Sequence, residues 1–257
     1  NGYRPTPYSP WQKMLMGWAT PTTLDNTQAQ QLTLEPYDQA SKSYKIEADV
    51  NEDNFRINEN YSIADPTVQE KKELMERAKG EFLLLQNIRN EGWYKALPGY
   101  GLLVWRIDYS DIDKVHLTDS PNNTIGIPRV TIVPADGLVI NQANIGADQC
   151  WESCWNDPFP AYKIGKDGSD INSLTEVKFN WSTMTTRPLY NIAKDEATGI
   201  VSFDYLKDFK ATGIENTLLD KDASSTPTEY FDLEGRKITT PLKGHLYITN
   251  KGKKVIY

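Results

Sequence analysis

Apolar residues recur along this chain with three different rhythms, and each rhythm predicts a different element. Near the start, Trp11, Leu15 and Trp18 fall at helical spacing with Met14 beside them, which predicts a short helix from Pro10 to about Trp18. Ser9 stands at its cap position, proline occupies the first turn and Gln12 completes a capping box. Leu32-Thr33-Leu34 and Tyr44-Lys45-Ile46 instead alternate around a turn-rich stretch from Asp38 to Ser43, a pattern that predicts paired strands. Asp65-Pro66 then opens a charged stretch to Lys79, with Asp65 placed to cap a surface helix and only Val68, Leu74, Met75 and Ala78 as apolar content.

The third rhythm is no rhythm. From Glu81 to Asp108 two nearly continuous apolar runs, Phe82 to Leu85 and Leu102 to Trp105, stand either side of Gly92-Trp93 and Leu97-Pro98-Gly99. Runs of that length without alternation predict two strands covered on both faces. Further strands are expected at Arg129 to Val133, Val177 to Phe179 and Ile200 to Leu206, and Trp11, Trp18, Trp93 and Trp105 all read as core. After Lys210 the apolar period fails, and Asp220 to Pro227 is small and polar, as linkers are. Beyond it, Tyr230 to Leu233 with Arg236 to Ile238, and His245 to Thr249 with Lys254 to Tyr257, predict two hairpins. The expected fold is therefore mainly β, α+β overall: a short N-terminal helix, a β-rich body of packed antiparallel sheets and a small C-terminal β-hairpin tail. Its expected divisions are 1–145, 146–210 as a β-rich continuation packed on the first part, 211–227 as linker and 228–257 as tail.

Composition narrows the function more than the fold. The 257 residues carry 28 Lys+Arg against 35 Asp+Glu, a formal charge of −7, without basic blocks. Neutralising a phosphate backbone is thus a poor fit, and no nucleic-acid partner is expected. No apolar run approaches the 18 or so residues of a membrane span, so no transmembrane segment is expected. The only histidines are His116 and His245, in unrelated segments, and no G-x-S-x-G elbow occurs. A multi-histidine metal site therefore cannot be assembled from this sequence, serine- or cysteine-histidine catalysis would have to use one of those two histidines, and no catalytic or metal-ligating residue is assigned. The cysteines, Cys150 and Cys154, are spaced to close a small disulfide loop but supply half of a four-cysteine zinc site. A disulfide is mildly suggestive of export. Asn1 to Pro5 has neither the basic nor the apolar region of a signal peptide, so the expectation is a chain that has lost its leader or a piece of a longer protein.

One stretch is more specific. Gly80-Glu-Phe-Leu-Leu-Leu-Gln-Asn-Ile-Arg-Asn-Glu-Gly-Trp93, followed by Ala96-Leu-Pro-Gly-Tyr-Gly-Leu-Leu-Val-Trp-Arg-Ile-Asp108, resembles secreted zinc metallopeptidases of the immune inhibitor A type. Flanking pieces agree in order over about residues 3 to 206: Tyr8-Ser9-Pro10-Trp11 with Met16-Gly17-Trp18 looks like the helix after the family's Met-turn, and Pro128 to Gly137 like its next strand and loop. Asp157-Pro158-Phe159-Pro160 and Pro188 to Ile192 match later segments. The resemblance implies the C-terminal segment of an exported zinc-dependent endopeptidase, with the HExxH helix, the further zinc ligand and the general base all upstream of this chain. It implies zinc in the parent, no cofactor in this segment, a protein or peptide substrate, the upstream catalytic segment as partner, and a secreted or cell-surface location. The segment alone is expected to be inactive. Arg106 departs from the histidine common in the family's Trp-x-Ile-Asp stretch, which bears on any accessory role there. The tail, Tyr230 to Ile238 and Gly244 to Tyr257, looks like the C-terminal segments of many exported proteins of Gram-negative anaerobes, and equally reads as a plain terminal hairpin pair.

Three smaller features remain. Asp167 and Asp170, in Lys166-Asp-Gly-Ser-Asp170, are candidate calcium ligands, although the spacing and distal glutamate of an EF-hand are missing. Asp108, Asp111 and Asp113 read as a solvated turn in preference to a cation site. Trp151 and Trp155, in the cysteine loop, are the tryptophans expected at the surface for binding. The alternative to the peptidase reading is a non-catalytic β-rich surface or binding module derived from a peptidase scaffold.

Overall fold

The structure, a computed structural model, describes residues 6–63, 65–111, 121–138, 154–162, 168–210, 229–232, 236–239, 243, 246–249 and 254–256. It divides into two compact units, Asn1–Lys207 and Asp208–Tyr257. The fold is mostly β, with several antiparallel sheets and a few short helices, a β-rich α+β arrangement. No helix among the described residues is long and apolar enough to cross a membrane.

In the first unit, helix α1 spans Pro10–Leu15 and starts as its sequence dictates: Ser9 Oγ accepts from the Gln12 amide, and Gln12 Oε1 accepts from the Ser9 amide. It ends earlier than expected. Gly17 adopts φ +70°, and the amides of Trp18 and Gly17 return to the carbonyls of Lys13 and Met14, the paired bonds of a Schellman stop. The helical period is broken there, so Trp18 leaves the apolar stripe and is 61% exposed, with Leu15 and Met16 also on the surface. Trp11 stays against the body, its indole N–H donating to Tyr109 Oη at 3.0 Å.

The strands that follow are β1 (Thr22–Thr23), β2 (Gln30–Leu34) and β3 (Tyr44–Glu47), with helix α2 (Tyr37–Ala40) in the stretch expected to be a turn. β2 and β3 do not pair with each other. β3 lies between β1 and β4 (Glu81–Ile88), whereas β2 pairs with β10 (Val201–Tyr205) in a second sheet, because β10 presents the buried Val201, Phe203 and Tyr205 that complete the central core. Helix α3 (Val68–Ala78) is capped by Thr67, not Asp65. Thr67 and Glu70 form a reciprocal capping box, which satisfies two amides where an aspartate cap would satisfy one.

β4 pairs over its full length with β5 (Gly101–Asp108), and β6 (Val130–Ile132) adds to the far edge, giving the order β1-β3-β4-β5-β6. All eight residues of β4 are buried. Leu83 and Leu85 face the central core with Leu102, Val104, Phe159, Phe179 and Phe203, while Phe82 and Leu84 pack with Ile107, Trp11 and Met14 on the other face. The absence of alternation in sequence thus has the predicted cause, one sheet covered by a second sheet on one side and by α1 on the other. Each fully buried leucine here is worth roughly 1.5–3 kcal/mol. The unit is completed by the hairpin β7 (Val177–Lys178) and β8 (Thr183–Met184), and by β9 (Leu189–Lys194), which joins the second sheet in the order β2-β10-β9. Hydrogen bonds run across position 145: Leu102 and Phe159 exchange both backbone bonds, and the Ala135 amide donates to the Asp157 carbonyl. Trp93 is exposed at 61%, contrary to expectation, because its short 3-10 turn, Gly92–Tyr94, buries the neighbouring Tyr94 instead.

The second unit is a four-stranded antiparallel sheet of β11 (Tyr230–Phe231), β12 (Lys237–Ile238), β13 (Leu246–Thr249) and β14 (Lys254–Ile256) in the order β12-β11-β13-β14. The two expected hairpins are fused by β11–β13 pairing, with the Tyr230 and Tyr247 rings edge to face. The expected linker 211–227 lies outside the described residues.

Candidate functional site

The register of the central hairpin sets Glu81, the first residue of β4, opposite Asp108, the last of β5. Both are 1% exposed. Two buried carboxylates facing each other need donors, and the turn joining β7 to β8 supplies them. The amides of Asn180 and Trp181 donate to Glu81 Oε1 at 2.6 and 3.2 Å, and the Ser182 hydroxyl reaches Oε2 at 3.3 Å. Asp108 Oδ2 accepts from the Asn180 side chain at 2.7 Å, the Trp181 indole at 3.2 Å and the Arg129 guanidinium at 3.3 Å, while Oδ1 accepts from the Ser110 amide at 2.8 Å. Arg129 is itself 3% exposed, so this is a buried ion pair. Asp108 is therefore not part of a solvated turn. Its strand position points it at the same face as Val104, into the protein, and a buried counter-ion holds it there.

The two acids differ electrostatically. Burial, and then the charge of Asp108, push the Glu81 carboxyl well above the ordinary glutamate range, against the backbone donors of Asn180 and Trp181 that favour its ionised form. Glu81 thus keeps its proton to higher pH than a free glutamate. Neither acid is open to a reacting group, since each is sealed and saturated with donors. Their role is to fix the turn over the end of the hairpin.

That fixed turn forms one wall of a cavity of about 420 Å³ bounded by Arg56, Asn58, Arg106, Gly126, Phe179 and Asn180, among others. Arg56 Nη2 donates to the Phe179 carbonyl at 2.7 Å and Arg106 Nη1 to the adjacent Lys178 carbonyl at 2.6 Å, so two guanidiniums are docked on consecutive peptide units. Asn58 ties the three loops together by donating to the carbonyls of Asn180, at 3.2 Å, and Gly126, at 3.3 Å. Gly126 has φ +73°, and a Cβ there would lie 2.1 Å from Asn60 Nδ2, so only glycine lets the 56–60 loop close on this wall. Burial lowers the proton affinity of Arg106, the charge of Arg56 lowers it further, and Glu81 and Asp108 oppose both. Arg106, noted in sequence as a departure from a family pattern, is thus a wall of the cavity, and the partners of Arg106 come from segments with no visible motif.

Other expected site residues fall elsewhere. Cys150, Trp151 and Asp167 lie outside the described residues, and with them the disulfide with Cys154 and half of the calcium pair. Asp170 is exposed, Cys154 is half-buried in the 3-10 turn Cys154–Asn156, and Trp155 in that turn is 51% exposed. Gly99 permits this turn to approach, since a Cβ would meet the Trp155 carbonyl oxygen at 2.6 Å. Asp113 and His116 are not among the described residues, and no group of three or more His, Cys, Asp or Glu side chains that could hold a metal ion occurs among those that are.

The chain matches no protein-family model, no curated protein and no solved structure.

Proposed function

We propose that this chain is the C-terminal segment of an exported zinc-dependent endopeptidase, secreted or held at the cell surface, in which an upstream segment of the same protein holds the zinc and hydrolyses the peptide bond. The segment described here would form the floor and substrate-facing side of the cleft. The observation that supports this reading is spatial. The separated stretches that resemble immune inhibitor A-type peptidases meet on one hairpin: Trp11 reaches Tyr109 beyond the end of β5, β6 pairs with β5, Phe159 pairs with Leu102, and Leu189 and Ile192 share a core with Leu83 and Leu85. Among the described residues no group of three or more His, Cys, Asp or Glu side chains could hold a zinc ion, and no hydrolytic step is assigned to them.

The test is to read and express the coding sequence that precedes Asn1. The longer protein should contain an HExxH motif, bind one zinc per chain, cleave casein and lose that activity to a chelator, whereas residues 1–257 alone should do none of these. Absence of the motif upstream would sink the proposal. The alternative of a non-catalytic binding module is favoured by one feature, the arginine-walled cavity beside two sealed carboxylates, and would be supported by a degenerate upstream zinc motif.

A further inference from the structure

The buried arginine of this unit is answered by opposite charge. Arg129 is paired with Asp108 at 3.3 Å and faces Asp111 at 3.9 Å. The arginines of the cavity, Arg56 exposed and Arg106 half-buried, are different. Arg56 and Arg106 line the same cavity and dock on adjacent carbonyls, yet among the described residues neither forms an ion pair with a carboxylate. Each is held instead by a neutral carbonyl, of Phe179 and Lys178 respectively, and Arg106 Nε is buried without a hydrogen-bond partner. Bringing two cations together and leaving a buried donor unmade both cost free energy. An anion shared by the two guanidiniums relieves both costs, and arginine's planar fork suits an oxyanion.

The surroundings select the charge of that anion. Glu59 lies at the cavity rim, and Glu81 and Asp108 stand behind Arg106. Two arginines with the Glu59 and Asp108 carboxylates nearby leave room for one negative charge and disfavour a dianion such as phosphate. The volume of about 420 Å³ is larger than a lone ion needs and lies in the range of sites for small organic ligands. Asn58, Asn60 and Asn180 bring amides to the walls beside Ile57 and Phe179, a lining that suits a peptide backbone with short side chains.

We propose that the cavity between Arg56 and Arg106 binds a singly charged carboxylate carried by a peptide, from its C-terminus or from an acidic side chain. The site belongs to this chain alone, so its test does not depend on the peptidase reading. Residues 1–257 would be titrated calorimetrically with acetyl-triglycine, its C-terminal amide, acetyl-Gly-Glu-Gly amide and inorganic phosphate. At least one carboxylate peptide should bind saturably with one site, more tightly than the amide and than phosphate. Preference between the two carboxylate peptides identifies the source. Arg56→Gln, at an exposed residue whose loss leaves the core intact, and Arg106→Gln should each weaken binding about tenfold or more. Equal binding of acetyl-triglycine and its amide with no gain for the glutamate peptide, tighter binding of phosphate, no binding of any probe, or full affinity in folded Arg56→Gln would each overturn the assignment.

Discussion

Converting either buried acid at the end of the central hairpin to its amide alters the same small volume, but the two substitutions should have different outcomes. Asp108→Asn leaves Arg129, 3% exposed, without its counter-ion. It also puts one amide nitrogen where an oxygen accepted: if the nitrogen takes the Oδ2 position it faces Arg129, Asn180 and Trp181, all donors, and if it takes Oδ1 it faces the Ser110 amide. Breaking a buried pair in this way costs about 3–5 kcal/mol. Glu81→Gln is different, because Oε1 still accepts from the Asn180 and Trp181 amides, and the new nitrogen, although it loses the longer 3.3 Å bond from the Trp181 amide, donates to the Ser182 hydroxyl, which can turn to accept. It also removes repulsion from Asp108, so its cost near neutral pH should be within about 1 kcal/mol. The sign of its pH dependence follows from a raised folded-state pKa. Above about pH 4.5, the ordinary glutamate value, the unfolded chain has released a proton that the folded chain retains, and wild-type stability falls as pH rises toward the folded pKa. Glu81→Gln lacks that loss and should gain on the wild type as pH increases. Urea titration followed by tryptophan fluorescence reads the first unit specifically, since all 7 tryptophans lie at or before Trp181. In thermal melts Asp108→Asn should lower the midpoint by roughly 6–20 °C. Equal destabilisation by the two variants, or a Glu81→Gln difference that does not change with pH, would refute the reasoning.

Thr67→Ala should destabilise by about 1 kcal/mol in the same titration through loss of the α3 cap, and Thr67→Ser should restore most of it. Asp157, pushed up to about 6 by burial and then by the charge of Asp136, makes wild-type stability fall as pH rises from about 3.8 to 6. Asp157→Asn should therefore gain on wild type across that window and hold a constant difference above it; a flat difference would remove Asp157 as the cause. Trp105 donates to Gln86 Oε1 at 2.8 Å, and Gln86 in turn donates to Tyr94 Oη at 2.9 Å. Trp105→Phe should cost at least about 1–3 kcal/mol from the stranded acceptor alone, and a double-mutant cycle with Gln86→Leu should show the penalties to be non-additive.

What could be read from sequence was what local chemistry decides. The Ser9 capping box, the two unbroken apolar runs of the central hairpin and the paired runs of the tail each carry their cause within a few residues. The structure departs from the sequence reading where a distant residue decides or where two local signals compete. Leu32 to Leu34 and Tyr44 to Ile46 are neighbours in sequence and make an obvious hairpin, yet Leu34 pairs with Val201. Trp18 fits a helical stripe until Gly17 ends the helix. Asp65-Pro66 and Thr67-x-x-Glu70 are both helix starts, and the reciprocal pair prevails. At the site, Asp108 looked like one of three acids in a wet turn, because nothing nearby discloses that Arg129 and Asn180 will close over it. A signal was present all the same: Glu81 and Asp108 bound apolar runs too continuous to have a wet face, and a charge at the edge of such a run needs a partner. The cavity was beyond reach because Arg56, Arg106 and Asn180 come from three separated segments whose only common property is their fold.

The pairing of β2 with β10 also sets a timetable. Hydrogen-bonded Gln31 and Asp204 are 173 positions apart, whereas β9 and β10 are joined by a short turn in which the Asp195 amide donates to the Ile200 carbonyl. As the chain lengthens, β2 waits beside nothing until almost the whole unit has been made, and the entropy of closing so long a loop must be met before its ladder returns any energy. The local β9–β10 hairpin is ready first, and β2 docks onto it as a late zipping step. Substitutions along β2 should consequently hasten unfolding more than they slow folding. Until β2 arrives, the free edge of β10 is an open template, and the narrow interval between its synthesis and its cover is when this chain is most exposed to pairing with another copy of itself.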